Sequence, residues 1–200
     1  MWGVINVARS RKKRSLRPAI LIVTNGERTE RTYLTRLKSE AKGSKLSITV
    51  QFLPGEASTL LRKLDANDLS GYTEIWIVVD EDGRDLLPLI RGCEKRTRKN
   101  QLWVPVISRP CFEVWLIAHY ERVKTYHSQA DAQRHLGQIT GRKPAEKSLP
   151  TDFPFENMHQ ACVQCELPSA EVHEQGQMPP SPGSGMVHLV QRLLPGREKE

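Results

Sequence analysis

The chain has 200 residues, 38% of them hydrophobic and 26% charged, with a mean hydropathy of -0.50, which suits one water-exposed domain with a sizeable core, with or without an appendage. No apolar run is long enough to cross a bilayer, and four unevenly spaced cysteines make no disulfide framework; both exclude the membrane and secreted disulfide-rich classes. The net charge of +7 is concentrated, because Arg9, Arg11, Lys12, Lys13, Arg14 and Arg17 fall within nine positions and leave a nearly neutral body.

This basic arm, residues 1–17, gathers phosphates through counterion release if it meets nucleic acid, and is otherwise a solvated leader. Met1 to Ala8 carries no sustained apolar stretch behind a basic start, so a cytoplasmic protein is expected. From Pro18 short apolar runs alternate with amphipathic stretches, the pattern of β/α units around a parallel sheet. Ala19 to Thr24 fits a buried strand, and Tyr33, Leu34 and Leu37 follow at helical spacing. Leu46 to Leu53 alternates apolar and polar residues up to the turn signal Pro54-Gly55, and Leu60, Leu61 and Leu64 mark a second helix. Glu74 to Val79 is the strongest strand; an acidic turn and a helix through Leu86, Leu87 and Ile90 succeed it.

Leu102 to Ile107 is a fourth strand. Ser108-Arg109-Pro110 then reads as the start of a helix, with Pro110 at a first-turn position and Phe112, Trp115, Leu116 and His119 on one stripe. A core over 18–141 thus precedes an extension, 142–200, that holds eight of the 13 prolines and shows no strong strand. Within it Met186, Leu189, Val190 and Leu193 keep a helical stripe behind Ser184, so a last helix is expected to dock onto the body, delivered by the Pro-rich segment Gln177 to Gly185.

Chemistry in an open α/β sheet collects beyond the carboxyl ends of its strands. Two polar turns occupy that position: Thr24-Asn25-Gly26-Glu27-Arg28-Thr29-Glu30, and Asp80-Glu81-Asp82-Gly83-Arg84-Asp85. If the second turn stays extended, alternation brings Asp80 and Asp82 near one point, an oxygen pair suited to Mg²⁺; the structural alternative is Asp side chains capping helix N–H groups. Glu113, at the mouth of the helix after strand four, adds a third acid to the same edge, unless it only complements the helix dipole.

Other signals are weaker. A second basic group, Arg91, Lys95, Arg96, Arg98 and Lys99, reads as a wet helical face that can extend the field of the arm. His159, Cys162, Cys165 and His173 superficially resemble zinc ligands, but a single Cys-x₂-Cys is a poor zinc signal. Cys111 is expected as a small buried hydrophobe, His119 and His188 as satisfied structural histidines, and Lys143 and Lys147 as loop cations with or without a phosphate.

Ile20-Leu21-Ile22-Val23 with Gly26-Glu27-Arg28-Thr29-Glu30, Val78-Val79-Asp80-Glu81-Asp82, and above all Ser108-Arg109-Pro110-Cys111-Phe112-Glu113-Val114-Trp115-Leu116 resemble the RloB family. The likeness covers roughly Arg17 to Tyr120 and the Val187-His188-Leu189-Val190 helix. It implies a Toprim/Rossmann-like parallel sheet of about four strands flanked by helices, ahead of an irregular Pro-rich extension ending in a helix. It also implies a nuclease of phage defence or abortive infection, using Mg²⁺ or Mn²⁺ on DNA or RNA, beside an ABC-type ATPase partner. Carried over by position, Glu27, Asp80, Asp82 and Glu113 match catalytic acids, and Glu30, Asp80 and Asp82 match metal ligands. Arg9, Arg11, Lys12, Lys13, Arg14, Arg17 and Arg28 are the expected nucleic-acid contacts.

One position departs from the family: Asn25 stands where a Glu usually precedes the glycine, and an amide neither takes a proton usefully nor offers a charged ligand. Either Glu27 supplies the carboxylate, or the chain is a non-catalytic nucleic-acid-binding or regulatory subunit. The strand ending Val79-Asp80-Glu81-Asp82 also resembles haloacid-dehalogenase-type phosphatases, with Asp80 as nucleophile. Arg84 in place of their Thr, and a motif on the third strand instead of the first, count against that likeness.

Overall fold

The computed structural model describes residues 17–141, 148–166 and 173–195. The basic positions Arg9 to Arg14, and Lys143 and Lys147, lie outside the described residues. Four parallel strands, β1 (Ala19–Thr24), β2 (Ser47–Phe52), β3 (Glu74–Asp80) and β4 (Leu102–Arg109), lie in the order β2-β1-β3-β4. A two-residue strand, β5 (Gly183–Ser184), pairs antiparallel with β4 at Ser108 and Arg109, so the sheet has five strands where about four are expected.

Alternation along the strands divides the core. Ile20, Ile22, Trp76, Val78, Val104 and Val106 face one side with α1 (Thr29–Glu40), while Leu21, Val23, Ile75, Ile77, Val79 and Ile107 face α2 (Ala57–Asp65) and α3 (Leu87–Arg96) on the other. Each side is covered because strands buried on both faces must shed water from both. The face with α1 also takes in α4 (Glu113–Ile117), α6 (Met158–Gln164) and α7 (Met186–Leu193), whose residues Met186, Leu189, Val190 and Leu193 are all buried, as their spacing predicts. At the start of α7, Met186 N–H donates to Ser184 Oγ at 3.2 Å. The polypeptide crosses β4 closely there, since a Cβ on Gly185 would lie 3.2 Å from Ile107 N. Arg192 then fastens α7 to the foot of β3, its Nε donating to both Glu74 carboxylate oxygens at 3.0 and 3.1 Å.

Three expectations change. Ser108 and Arg109 prolong β4, and Pro110 follows a cis peptide bond in the turn, so the helix starts only at Glu113; the extra β4 residues are held by β3 and β5. A helix missing from the sequence reading, α5 (Gln129–Thr140), has a Ser128 side chain accepting from Asp131 N–H and a left-handed Gly141 after its last turn. The described residues 148–166 hold more regular structure than expected, with a 3-10 turn at Phe155–Asn157 leading into α6.

Candidate functional site

In this strand order β1 lies between β2 and β3, and connections leave β1 and β3 on opposite sides of the sheet. The carboxyl ends of these two strands therefore form the switch point at which open α/β sheets present loops to a ligand. Asp80 is the last residue of β3, held in register opposite Ser108 of β4. The turn beyond it does not stay extended. Asp82 and Gly83 take φ values of 48° and 67°, and Arg84 N–H closes the turn onto Glu81 O at 2.8 Å. Asp-Gly suits such a turn because glycine pays no steric penalty at positive φ and Asp pays less than most residues. The capping role falls to Asp85, whose Oδ1 accepts Leu87 N–H at 2.9 Å, which leaves Asp80 and Asp82 for other work.

The first turn is pinned by Thr24 Oγ1, which accepts Gly26 N–H at 3.0 Å, and by Asn25, whose Nδ2 donates to Gly55 O at 3.1 Å. Asn25 thereby ties the end of β1 to the end of β2, a task that a carboxylate, lacking a donor, would not perform. Glu30, in the first turn of α1, folds back over Gly26, where a Cβ would fall 2.0 Å from its Cδ. Glycine at 26 makes room for the carboxyl of Glu30.

An aromatic cluster fixes the two helices that carry acids. Tyr33, one turn beyond Glu30, meets Phe112 and Trp115 edge-on at centroid distances of 5.6 and 6.2 Å, and Phe112 immediately precedes Glu113. Tyr33 Oη lies 3.1 Å from His119 Nε2, and His119 Nδ1 lies 2.9 Å from Trp115 O. His119 is thus a satisfied structural histidine, its pKa pushed down to about 4 by burial. Cys111 is fully buried as expected, and burial followed by the charges of Glu113 and Asp80 pushes its thiol pKa far up, which rules out a ready nucleophile.

The electrostatics converge on Asp80. Burial is the largest cause raising its pKa well above the ordinary carboxylate value, followed by the negative charges of Glu30, Glu113 and Asp82; Phe112 N–H, which donates to the carboxylate, opposes them. Acids from three separate loops therefore act on one carboxyl. Glu27 is exposed and is not among the groups acting on Asp80; Glu30, one helical turn on, leads the neighbouring charges. Glu113 Oε1 accepts from Gln133 Nε2 of α5 at 3.2 Å. Among the described residues no three His, Cys, Asp or Glu side chains are already arranged to hold a metal ion.

That result covers His159, Cys162, Cys165 and His173 as well, which the fold does not assemble as ligands: Cys165 is buried, with its Sγ against Cys162 O. His188 differs from its expectation, because its buried Nε2 has no hydrogen-bond partner among the described residues; its ring meets that of His173 edge-on at 4.8 Å.

Two contacts at this edge escape a reading of sequence. Arg109, at the end of β4, pairs with Glu81 at 2.8 Å and donates to Pro179 O at 2.9 Å, tying the Asp80 turn to β4 and to the 177–183 segment. Asp82 N–H donates to Pro110 O at 3.2 Å, a second tie between the same turns. The adjacency of Arg109 to the Pro-Cys-Phe-Glu block was a signal; its partner was not visible.

Fold and edge together define an α/β protein whose sheet presents a cluster of carboxylates at its switch point. The chain belongs to the RloB-like protein family, whose profile it matches over residues 20–193. No curated protein matches it. No helix among the described residues is long and apolar enough to cross a membrane.

Proposed function

We propose that this RloB-like protein is a metal-dependent nuclease of the Toprim type, acting on DNA or RNA within an antiphage defence system. The observation that carries the reading is the raised pKa of Asp80 under the charges of Glu30, Glu113 and Asp82, at the switch point of the sheet. Like charges gathered around one carboxyl cost free energy in the folded chain, and a hard divalent cation that takes oxygen donors offsets that cost. The donor set fits Mg²⁺ or Mn²⁺ chemically: Asp80, Asp82 and Glu30 are the oxygen donors that would hold the ion.

When bound, such an ion supplies positive charge for the phosphoryl oxygens and lowers the pKa of a ligated water. The protein does the rest. Glu113, fixed between the ring cluster and Gln133, serves as the acid or base toward water or the leaving oxygen, and Phe112 N–H keeps the Asp80 carboxylate turned toward the site. The Arg109–Glu81 pair holds the Asp80 turn in register with the Glu113 turn. An ABC-type ATPase is the natural partner to deliver or license the nucleic acid.

The test is cleavage of end-labelled DNA and RNA with Mg²⁺ or Mn²⁺, with and without the ATPase. Wild-type protein cuts and Asp80→Ala does not; no cleavage under any of these conditions overturns the reading. A second reading, a non-catalytic nucleic-acid-binding subunit, is favoured by Asn25, which spends its amide on Gly55, and by ligands that are not preassembled. It predicts salt-sensitive binding that survives Asp80→Ala without cleavage.

A further inference from the structure

We infer that the edge of the sheet opposite the acids, where the parallel strands begin, is a docking surface for the phosphate backbone of nucleic acid. Three backbone hydrogen bonds draw the loops before the strands into one row. Ser47 N–H donates to Pro18 O at 2.9 Å, Thr73 N–H to Ala19 O at 2.8 Å, and Leu102 N–H to Thr73 O at 2.9 Å. On this row stand Arg17, immediately before β1; Lys42 and Lys45, before β2; and Arg98 and Lys99, before β4, all exposed. With strands about 4.8 Å apart, the row runs about 14 Å from β2 to β4.

Its cations are not consumed by neighbouring acids. Glu40 is bonded to Arg36 at 2.9 Å, Asp65 to Arg96 at 2.8 Å, and Glu74 to Arg192 at 3.0 Å. Asp68 at this edge accepts Ser70 N–H, and Glu94 stands exposed on α3; these two are outnumbered by the row. Of the second basic group read from the sequence, Arg96 is therefore spent on Asp65 and on Trp103, whose ring it covers at 5.8 Å, while Arg98 and Lys99 join the row. The chain meets this edge at Arg17, and Arg9, Arg11, Lys12, Lys13 and Arg14 precede it closely in sequence. Arg17, the first described residue, thus stands at this edge and not at the acidic edge.

A phosphate polymer fits this row better than a lipid surface. The exposed large hydrophobics among the described residues are Leu87 and Val163, on α3 near the acidic edge and on α6, so the row has no apolar side chain to insert. The seven residues of β3, at about 3.3 Å each, separate the two edges by about 20 Å. The polymer is therefore gripped about 20 Å from the acids, and only a strand long enough to pass round the molecule touches both edges. The surface stands whether or not the acids cut.

Fluorescence anisotropy of the full chain with fluorescein-labelled 30-bp duplex DNA, and with duplex RNA of the same sequence, in EDTA tests it without any hydrolysis. Replacing Lys42, Lys45, Arg98 and Lys99 together by Ser lowers affinity at least about tenfold at 0.1 M salt and lowers the slope of log K against log salt by about 4, at about 0.9 per phosphate contact. The charge-keeping set Lys42→Arg, Lys45→Arg, Arg98→Lys and Lys99→Arg restores both, and Arg84→Ser with Arg134→Ser, exposed cations off the row, leaves both in place. An unchanged slope in the Ser variant overturns the inference. So does a slope lost in the Arg84/Arg134 variant, or binding to phosphatidylserine vesicles without binding to either duplex. Loss of cleavage with this binding intact would instead count against the nuclease reading alone.

Discussion

Asp80→Asn should make the protein more stable at pH 8. A carboxyl with a higher pKa in the folded chain than in the unfolded chain keeps its proton in the fold. Its contribution to stability is therefore full below the unfolded value and is lost as pH rises through the folded one. For Asp80 the rise comes from burial and from Glu30, Glu113 and Asp82, so at pH 8 its ionised form works against folding. Asparagine has no charge to desolvate and still offers an oxygen to Phe112 N–H. Each unit of pKa displacement is worth about 1.4 kcal/mol, and a chain of this size gains about 2–4 °C in Tm per kcal/mol. A higher Tm is expected at pH 8, by about 3 °C or more for each unit of displacement, shrinking toward zero below about pH 3, where Asp80 is protonated in both states. Differential scanning calorimetry of both proteins across that range reads it directly. An Asn variant less stable than wild type at pH 8, or a difference independent of pH, would refute the argument that like charges crowd Asp80.

Other expectations follow from named contacts. Gly26→Ala, whose new methyl group meets the flexible end of Glu30, should shift Tm little but weaken Mn²⁺ binding severalfold in a titration followed by electron paramagnetic resonance. His119, pushed down to about 4 from a usual 6.5, stabilises fully above pH 6.5 and loses that contribution as pH falls toward 4, a swing of about 3 kcal/mol. His119→Gln should flatten the pH dependence of urea denaturation in that window. Arg192→Met strips the cation from Glu74, which is 9% exposed and also accepts Trp76 Nε1–H; because Arg192 itself is partly exposed, about 2 kcal/mol of stability should go, with amide exchange in α7 accelerating first.

The sheet was legible because its strands state their own period. Ile20 to Val23 and Ile75 to Val79 are apolar at every position, as burial on both faces requires, and the observed ends of all four parallel strands lie within two residues of those expected. The last helix was legible for the same reason, its stripe being fully buried. The misses have local causes. Pro110 looked like a helix start because proline suits a first turn, but nothing in its neighbours announces that pairing with β5 will carry β4 up to Arg109, immediately before it. β5 itself is two residues long, too short to carry a period. The helix α5 was written in Ser128, Asp131 and Gly141, yet its apolar stripe is weak, with only Ala132 fully buried.

At the site, the sequence identified the turns and the acidic types but not their directions. Extended alternation would have paired Asp80 with Asp82; the Asp-Gly turn bends instead, and the interaction comes through charge across a tight turn. Between Glu27 and Glu30 the choice depends on which carboxyl folds over Gly26, a matter of one helical turn that spacing alone left open. The split of Arg17 and Arg28 between opposite edges of the sheet follows from strand direction, and becomes visible only once the order of the strands is known.

The most direct trial of the account is Mn²⁺ binding measured by electron paramagnetic resonance on wild-type protein, Asp80→Asn and Glu30→Gln. Wild-type protein should bind Mn²⁺ that Mg²⁺ displaces, and both variants should lose it while their thermal unfolding stays cooperative. Equal binding by all three proteins, or none by the wild type, would contradict it.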